Sequence, residues 1–132
     1  MHDPFDQSEI TSILVVKDPL RSKSFYIDQL GAKLHSEYGT SVVLKFLGHW
    51  MLLVEAGAPT ADKPQTHLTP PQDIDHLSHC YTIRVKDCQK SYNTLVSRGV
   101  KFITPPHDWG YELRCFFRDF DGHLFEISEF KG

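Results

Sequence analysis

The feature that most constrains the fold is an internal repeat of a strand followed by a helix. The tripeptide Val-Lys-Asp occurs at 16–18 and again at 85–87, each time after a run rich in β-branched residues. The helical pattern that follows ends at a glycine in both copies, Gly31 and Gly99. The tripeptides are 69 positions apart and the glycines 68, so the second helix is shorter by one residue. Such a repeat predicts two copies of one supersecondary unit.

Each copy carries start and stop signals for its helix. Asp18 precedes Pro19, whose fixed φ suits the first helical position, and Asp87 repeats the aspartate in the second copy. A glycine just after the last helical residue is a common C-terminal signal. The sequence therefore predicts a strand and a capped helix at the start of each module.

The remainder of each copy reads as a meander of about three strands. In the first copy a Gly-His turn separates two strand-like runs, at 42–47 and 50–55. In the second copy a turn that contains Asp-Gly separates the runs at 114–118 and 124–129. The first strand of each meander is the weakest, near 33–38 and 101–103. We therefore place module one at about 10–56, a linker with several prolines at about 57–75, and module two at about 76–130 of a single domain.

Composition limits the class of protein. With 132 residues, 40% hydrophobic and 23% charged, the chain is the size and type of one globular domain. The net charge of −3 and the absence of a Lys/Arg cluster exclude a nucleic-acid footprint. The apolar runs are too short to cross a bilayer, and the acidic N-terminus is unlike a signal peptide. Three cysteines without CxxC spacing indicate free thiols, so we expect a cytoplasmic protein.

Three segments carry a likeness to a known family. They are residues 13–34 (ILVVKDPLRSKSFYIDQLGAKL), 81–102 (YTIRVKDCQKSYNTLVSRGVKF) and 116–130 (FFRDFDGHLFEISEF). They resemble the strand-helix openings and the closing hairpin of the glyoxalase/bleomycin-resistance/extradiol dioxygenase superfamily, also called vicinal oxygen chelate proteins. Residues 118–126 are the most specific motif, although Phe120 stands where the family commonly has proline. The resemblance implies an α+β fold, with two tandem βαβββ modules that form a curved mixed sheet, a half-barrel, around a cavity.

The resemblance also implies where a divalent metal would bind, on the first and fourth strands of each module. Carried over to this chain, those positions are Thr11, Leu52, Cys80 and Glu126. Only Glu126 is a typical ligand, because leucine has no donor atom, a neutral hydroxyl is a poor donor and a thiolate suits softer metals. We therefore expect no metal and no cofactor, with a divalent metal as the alternative. A bulge that turns His79 inward in place of Cys80 stays open.

Strand alternation defines the expected ligand site. Trp50, Leu52, Cys80, Thr82, Arg84 and Glu126 share the predicted concave face, and Trp109 and Tyr111 lie in a loop that the resemblance places at its mouth. Arg84 could pair with a ligand carboxylate, or be a rim residue or a partner of Glu126. Trp109 and Tyr111 could stack on a flat ligand, or Trp109 could plug the end of the half-barrel. Cys80 is interpreted as a small core residue facing the pocket.

Two functions follow, and whether the chain is an enzyme stays open. The first is a metal-independent small-molecule-binding protein, similar to the antibiotic-sequestering branch of the family, in which two chains form a homodimer. The alternative is a divalent-metal-dependent glyoxalase-, isomerase- or dioxygenase-like enzyme. Its catalytic residue would be Glu126, helped by His79, Cys80 or a partner chain. A third reading is an accessory module with an empty cavity. We expect neither a nucleic-acid nor a membrane partner.

Overall fold

The computed structural model describes residues 3–132 and contains two βαβββ modules. In module one a strand is followed by a helix, a π-helical turn and three strands. The bounds are Thr11–Val15 (β1), Pro19–Ser24 (α1), Phe25–Gln29 (the π-helical turn), Lys33–Tyr38 (β2), Ser41–Phe46 (β3) and His49–Val54 (β4). In module two they are Tyr81–Arg84 (β5), Cys88–Ser97 (α2), His107–Asp108 (β6), Glu112–Arg118 (β7) and Leu124–Phe130 (β8).

Each module builds its own four-stranded sheet. The strand orders are β1-β4-β3-β2 and β5-β8-β7-β6, and the first pair of each sheet is parallel while the others are antiparallel. The predicted α+β fold of two βαβββ modules is therefore confirmed. The two mixed sheets are separate, and neither closes into a barrel.

The caps predicted from the repeat are present in both helices. The Asp18 carboxylate accepts hydrogen bonds from the backbone N–H groups of Leu20 and Arg21, and Asp87 accepts one from Lys90. Each aspartate thus satisfies donors that the first helical turn leaves unpaired. Pro19 occupies the start of α1, where a missing N–H costs nothing.

The π-helical turn explains the one-residue difference between the two helices. The backbone N–H of Leu30 donates to the carbonyl of Phe25, five residues earlier, at 3.3 Å. A π-turn accommodates one extra residue without moving the ends of a helix. Module one therefore fits its longer segment between the same strand and the same glycine turn. Phe25 and Tyr26, at the start of this turn, are both buried.

The first strand of the second meander differs from its predicted position. Residues 101–103 form only a bridge, in which Phe102 pairs with Phe117, and the short β6 lies at His107–Asp108. Residues 105 and 106 are both proline and have no N–H to donate to a neighbouring strand, so the pairing is interrupted there.

The inner faces of the two sheets contribute to one core. Leu14 and Met51 from the first sheet join Phe117 and Phe125 from the second, and all four are almost fully buried. The rings of Phe117 and Phe125 stack at 5.2 Å. The residues between these positions along each strand therefore point away from the core, because side chains alternate between the faces of a sheet.

The turn between β7 and β8 ties the two modules together. The hydroxyl of buried Tyr26 donates to Asp119 Oδ2 at 2.6 Å, and Asp119 Oδ1 accepts the backbone N–H groups of Asp121 and His123. His123 Nε2 lies 2.8 Å from the carbonyl oxygen of Val15 in module one. Burial raises the pKa of both Tyr26 and Asp119. The motif at 118–126 thus has a structural role in docking the modules.

The segment between the modules contains neither a helix nor a named strand. Residues 55–80 include two isolated bridges, Gly57 with Leu68 and Thr60 with Lys63. None of the helices between residues 3 and 132 has the length and hydrophobicity that a membrane span requires.

Candidate functional site

The outer face of the second sheet, meaning the face turned away from the core, gathers polar side chains. Tyr81, Ile83 and Val85 pack against the core, as the predicted alternation requires, so Thr82 and Arg84 point outward. The residues that form this outer face are Thr82, Arg84, Glu112, Arg114, Phe116, Glu126 and Ser128.

Strand register aligns these side chains in two adjacent rows. Glu126 lies between Thr82 on one side and Phe116 on the other. Two residues further along, Ser128 lies between Arg84 and Arg114 in the same way. Neighbours in a row are close enough for their side chains to interact directly.

Glu126 is held by its neighbours on this face. Its Oε1 accepts a hydrogen bond from the Thr82 hydroxyl at 3.0 Å, and its Oε2 lies 3.7 Å from Arg114 Nε. The residue is only 8% exposed. A buried carboxylate needs a hydrogen bond and a nearby positive charge, and Glu126 has both. Glu126 is therefore fixed in place by Thr82 and Arg114 on this face.

Glu112 and Arg114 extend the polar network. Arg114 Nη1 donates to Glu112 Oε1 at 2.8 Å, and the Ser128 hydroxyl donates to Glu112 Oε2 at 2.6 Å. Arg84 Nη1 lies 3.7 Å from Glu112 Oε2, so Arg84 neighbours Glu112 instead of Glu126. The Ser128 hydroxyl and the Arg114 guanidinium lower the pKa of Glu112, and Glu112 raises that of Arg114. Two arginines and two carboxylates thus balance on one surface.

Aromatic rings surround the arginines. The Cζ atom of Arg114 lies 5.2 Å from the Trp109 ring centroid and 6.0 Å from that of Phe116, and Arg84 Cζ lies 5.9 Å from that of Phe130. Trp109 is 51% exposed, so it does not plug the end of a barrel as one alternative proposed. A half-exposed indole next to a guanidinium presents a free surface for stacking.

Tyr111 lies beside this site at the tip of the β6–β7 hairpin and is exposed. Its carbonyl accepts the backbone N–H of Lys131 at 2.9 Å, and the Lys131 ammonium bonds to Asp108 at 2.8 Å. The hairpin that carries Trp109 and Tyr111 is therefore fixed to the C-terminal end of the chain.

Trp50 and Leu52 lie on the outer face of the first sheet, which is a separate surface. The Trp50 Nε1–H donates to Glu9 at 2.8 Å, and Lys45 Nζ lies 3.8 Å from the centroid of the indole. The cavity beside Trp50 holds about 270 Å³ and is lined by Glu9 and by residues of module one. Among residues 3–132, no hydrogen bond or ion pair joins this face to Glu126. Trp50 and Glu126 thus lie on the outer faces of different sheets, and each of these faces is one half-site.

The interpretation of Cys80 as a small core residue is wrong. Cys80 is exposed and precedes β5, which begins at Tyr81 opposite Phe125. Without a paired neighbour, nothing covers the thiol. His79 is also exposed and outside the strand, with its ring 5.8 Å from that of Tyr81. The core packing of Ile83 and Val85 keeps β5 in the predicted register.

The donor atoms do not fit a metal centre within one chain. Thr11 and Leu52 lie on the other sheet, Cys80 is exposed, and both carboxylate oxygens of Glu126 have partners. In the part of the chain that the structure describes, no three His, Cys, Asp or Glu side chains are placed to hold an ion. A catalytic zinc normally needs three protein ligands.

Glu112 and Arg114 were not among the residues predicted for the site. The signal was available in the sequence, because Cys115 and Phe117 alternate with Arg114 and Phe116 on the same strand. Counting the alternation along β7, in addition to β5 and β8, places Arg114 on the same face as Glu126.

The chain contains two βαβββ modules, and the outer face of the second sheet is polar and flanked by aromatic side chains. Such a chain belongs to the class of small proteins that are built by duplication of one module. The chain belongs to the Glyoxalase/Bleomycin resistance protein/Dioxygenase superfamily, whose family model matches residues 8–127. The resemblance carried by the three sequence segments is therefore confirmed.

Individual relatives agree with this assignment. The chain is 26% identical over 114 residues to the glutathione transferase FosA of Serratia marcescens, covering 86% of this chain and 74% of the relative. A glyoxalase/bleomycin resistance protein/dioxygenase structure from Nocardioides has a TM-score of 0.76 at 20% identity, covering 98% of this chain and 85% of the other. The fosfomycin resistance protein FosX of Listeria monocytogenes, complexed with Mn(II) and sulfate, has a TM-score of 0.67 at 17% identity, with coverages of 95% and 91%. The two structures show a shared fold.

Proposed function

We propose that this protein binds a flat, polar small molecule on the outer face of the second sheet without a metal ion. The observation that carries the proposal is the network in which Thr82 and Arg114 hold Glu126 beside the exposed ring of Trp109. Ligand sites typically combine apolar walls with a few convergent polar groups. Sequestration of a toxic compound is the role that such binding would serve.

The charges on this face indicate the type of ligand. Glu112 and Glu126 offset Arg84 and Arg114, so the surface carries no excess of either sign. An uncharged or zwitterionic molecule with donors and acceptors fits such a surface, because each of its groups finds a complement. Arg84 is 54% exposed and has no partner closer than 3.7 Å, so it is available for a ligand carboxylate.

Metal independence rests on the donor chemistry of this chain. Glu126 is the single typical ligand among the four positions that the resemblance implies. Its nearest partners are a hydroxyl and a guanidinium. A cation at Glu126 would lie close to the Arg114 charge and meet electrostatic repulsion.

We also propose a homodimer that joins the two half-sites, in the cytoplasm. The outer face of the first sheet exposes Ile13, which is 54% accessible, beside half-buried Leu52. Covering this face with the second sheet of another copy would bury that apolar surface and bring Trp50 opposite Glu126. Light scattering is expected to give about twice 15.2 kDa. Ile13→Asp should yield monomers, whereas Leu20→Asp, a change at a similarly exposed residue of α1, should not. A monomeric parent protein would contradict the dimer.

Tryptophan fluorescence tests the binding site, because the chain has only two tryptophans. The Trp50→Phe chain reports on Trp109 alone, and Trp109→Phe reports on Trp50. We expect a flat heteroaromatic compound from a screen to quench Trp109 in protein stripped of metal with EDTA. Arg114→Gln should weaken that binding at least ten-fold, whereas Lys90→Gln, a change to an exposed cation of α2, should leave it unchanged. A screen without any quenching of Trp109 would contradict the site.

The alternative is a metal-dependent glyoxalase-, isomerase- or dioxygenase-like enzyme. The position of Glu126 favours it, as does the Mn(II) in the FosX structure of the same fold. Elemental analysis of untagged protein separates the two functions. Less than a tenth of an equivalent of metal per chain supports binding alone. Near-stoichiometric metal that disappears in Glu126→Gln would contradict metal-independent binding and support the metal-dependent alternative.

A further inference from the structure

A second cavity lies away from the outer faces of both sheets. It holds about 360 Å³, is open to solvent on one side, and lies between the α1 segment, the turn at Gly99 and the β7–β8 turn. This volume is sufficient for a small organic ligand. We propose that this cavity binds an aromatic carboxylate, meaning a planar ring system that carries one carboxylate group.

The cavity is positively charged although the whole chain carries −3. Arg21, Lys101 and Arg118 line it, and Asp119 is the single carboxylate among the lining residues. Asp119 is committed elsewhere, because it accepts the Tyr26 hydroxyl and two backbone N–H groups. Arg118 is paired with Asp75 at 3.3 Å. Within residues 3–132, Arg21 and Lys101 make no ion pair, so two cations remain for an anionic ligand.

Aromatic side chains form the apolar wall of the cavity. Phe120 is 46% exposed, and its ring centroid lies 5.1 Å from that of buried Phe25. The Cζ atom of Arg21 lies 4.3 Å from the centroid of Phe120. Phe102 lines the cavity as well and is anchored against Tyr92, with their centroids 4.8 Å apart. An exposed ring beside a cation suits a planar anion, which can stack and pair at the same time.

Gln29 also lines the cavity, and its Nε2 donates to the carbonyl of Arg98 at 3.1 Å. Its Oε1 is buried and has no hydrogen-bond partner among the residues that the structure describes. This oxygen has no exposed surface and the amide is neutral, so Arg21 and Lys101 are the groups that select the ligand.

The test uses 2-naphthoate as the probe, followed by its own fluorescence and by the ¹H–¹⁵N NMR signals of Gly99 and the Gln29 amide. We expect saturable binding with shifts at both signals. 2-Naphthol, which lacks the carboxylate, should bind about ten-fold more weakly. Equal binding of the two compounds would overturn the proposal.

Variants locate the site. Phe120→Ala and Lys101→Gln should each weaken binding at least five-fold, and Lys90→Gln should not. Arg114→Gln should leave this binding intact, so that failure here is distinguishable from failure of the proposed function. Lys101 is exposed, so its variant keeps the test valid if Phe120→Ala does not fold. No saturation below about 10 mM, or dependence on Arg114 instead of Lys101, would overturn the proposal.

Discussion

Replacement of Tyr26 by phenylalanine removes one hydroxyl from the contact between the modules. The ring contacts with Phe25 and Phe125, at centroid distances of 5.3 and 5.9 Å, are retained. The lost hydrogen bond to Asp119 spans 2.6 Å and is buried. Because hydrogen bonds to charged groups contribute about 1.5–3 kcal/mol, we expect the free energy of unfolding to fall by about 2 kcal/mol at pH 7.

The loss should depend on pH in a defined direction. Burial raises the pKa of Asp119, and the bond from Tyr26 opposes that rise. A raised pKa means that the folded state binds the proton more tightly, so stability falls as pH increases from the ordinary pKa toward the raised one. In Tyr26→Phe the pKa of Asp119 rises further, which extends the fall to higher pH. The variant should therefore lose more stability at pH 7 than at about pH 4, where the carboxyl is closer to its protonated state.

Urea unfolding at both pH values measures the two losses directly. Tyr38→Phe is the matched control, because Tyr38 is 65% exposed, and it should change stability by less than about 0.5 kcal/mol. An equal loss at both pH values, or no loss at pH 7, would refute the role assigned to the Tyr26–Asp119 bond.

Three further predictions concern the folded chain. Gly122→Ala should lower the free energy of unfolding by about 2–4 kcal/mol, because φ is +96° and the added Cβ would collide with Ile74. Gly39→Ala is the control, since Gly39 also has a positive φ but has open space around it, and it should cost about 1–2 kcal/mol in the same unfolding assay. Leu47→Asn should stabilise the folded chain by about 0.5–1 kcal/mol, because Leu47 has φ +51° in an exposed two-residue turn and asparagine tolerates this conformation better. An unchanged midpoint of urea unfolding would contradict this. Cys80 should be the single thiol that reacts rapidly with a thiol reagent in the native state, because Cys88 and Cys115 are buried and burial raises the pKa of both. Two or more rapidly reacting thiols would contradict the burial of Cys88 and Cys115.

The sequence allowed prediction of what depends on local pattern. The Val-Lys-Asp repeat located both helix starts, and alternation correctly turned Ile83 and Val85 toward the core and Thr82 toward the outer face. Cys80 was misplaced because the start of a strand depends on where its partner begins, and β5 pairs only from Tyr81 onward.

The packing of the two sheets against each other could not be predicted from the pattern of hydrophobic residues. Nothing in strand periodicity states whether Leu52 and Glu126 share a cavity, since that depends on how two separate sheets pack across one core. The π-turn at 25–29 likewise appeared in the sequence only as a mismatch of one residue between the repeats. Arg114 was overlooked because β7 was not given the same count of alternation as its neighbours.

A fluorescence titration of metal-stripped Trp50→Phe protein decides most directly whether the outer face of the second sheet binds its ligand without a cation. The titrant is the heteroaromatic compound that quenches Trp109, first alone and then with one equivalent of Mn²⁺. We expect the two dissociation constants to agree within two-fold, and Arg114→Gln to weaken both. Binding that appears only with Mn²⁺, and that Glu126→Gln abolishes, would contradict a metal-independent site.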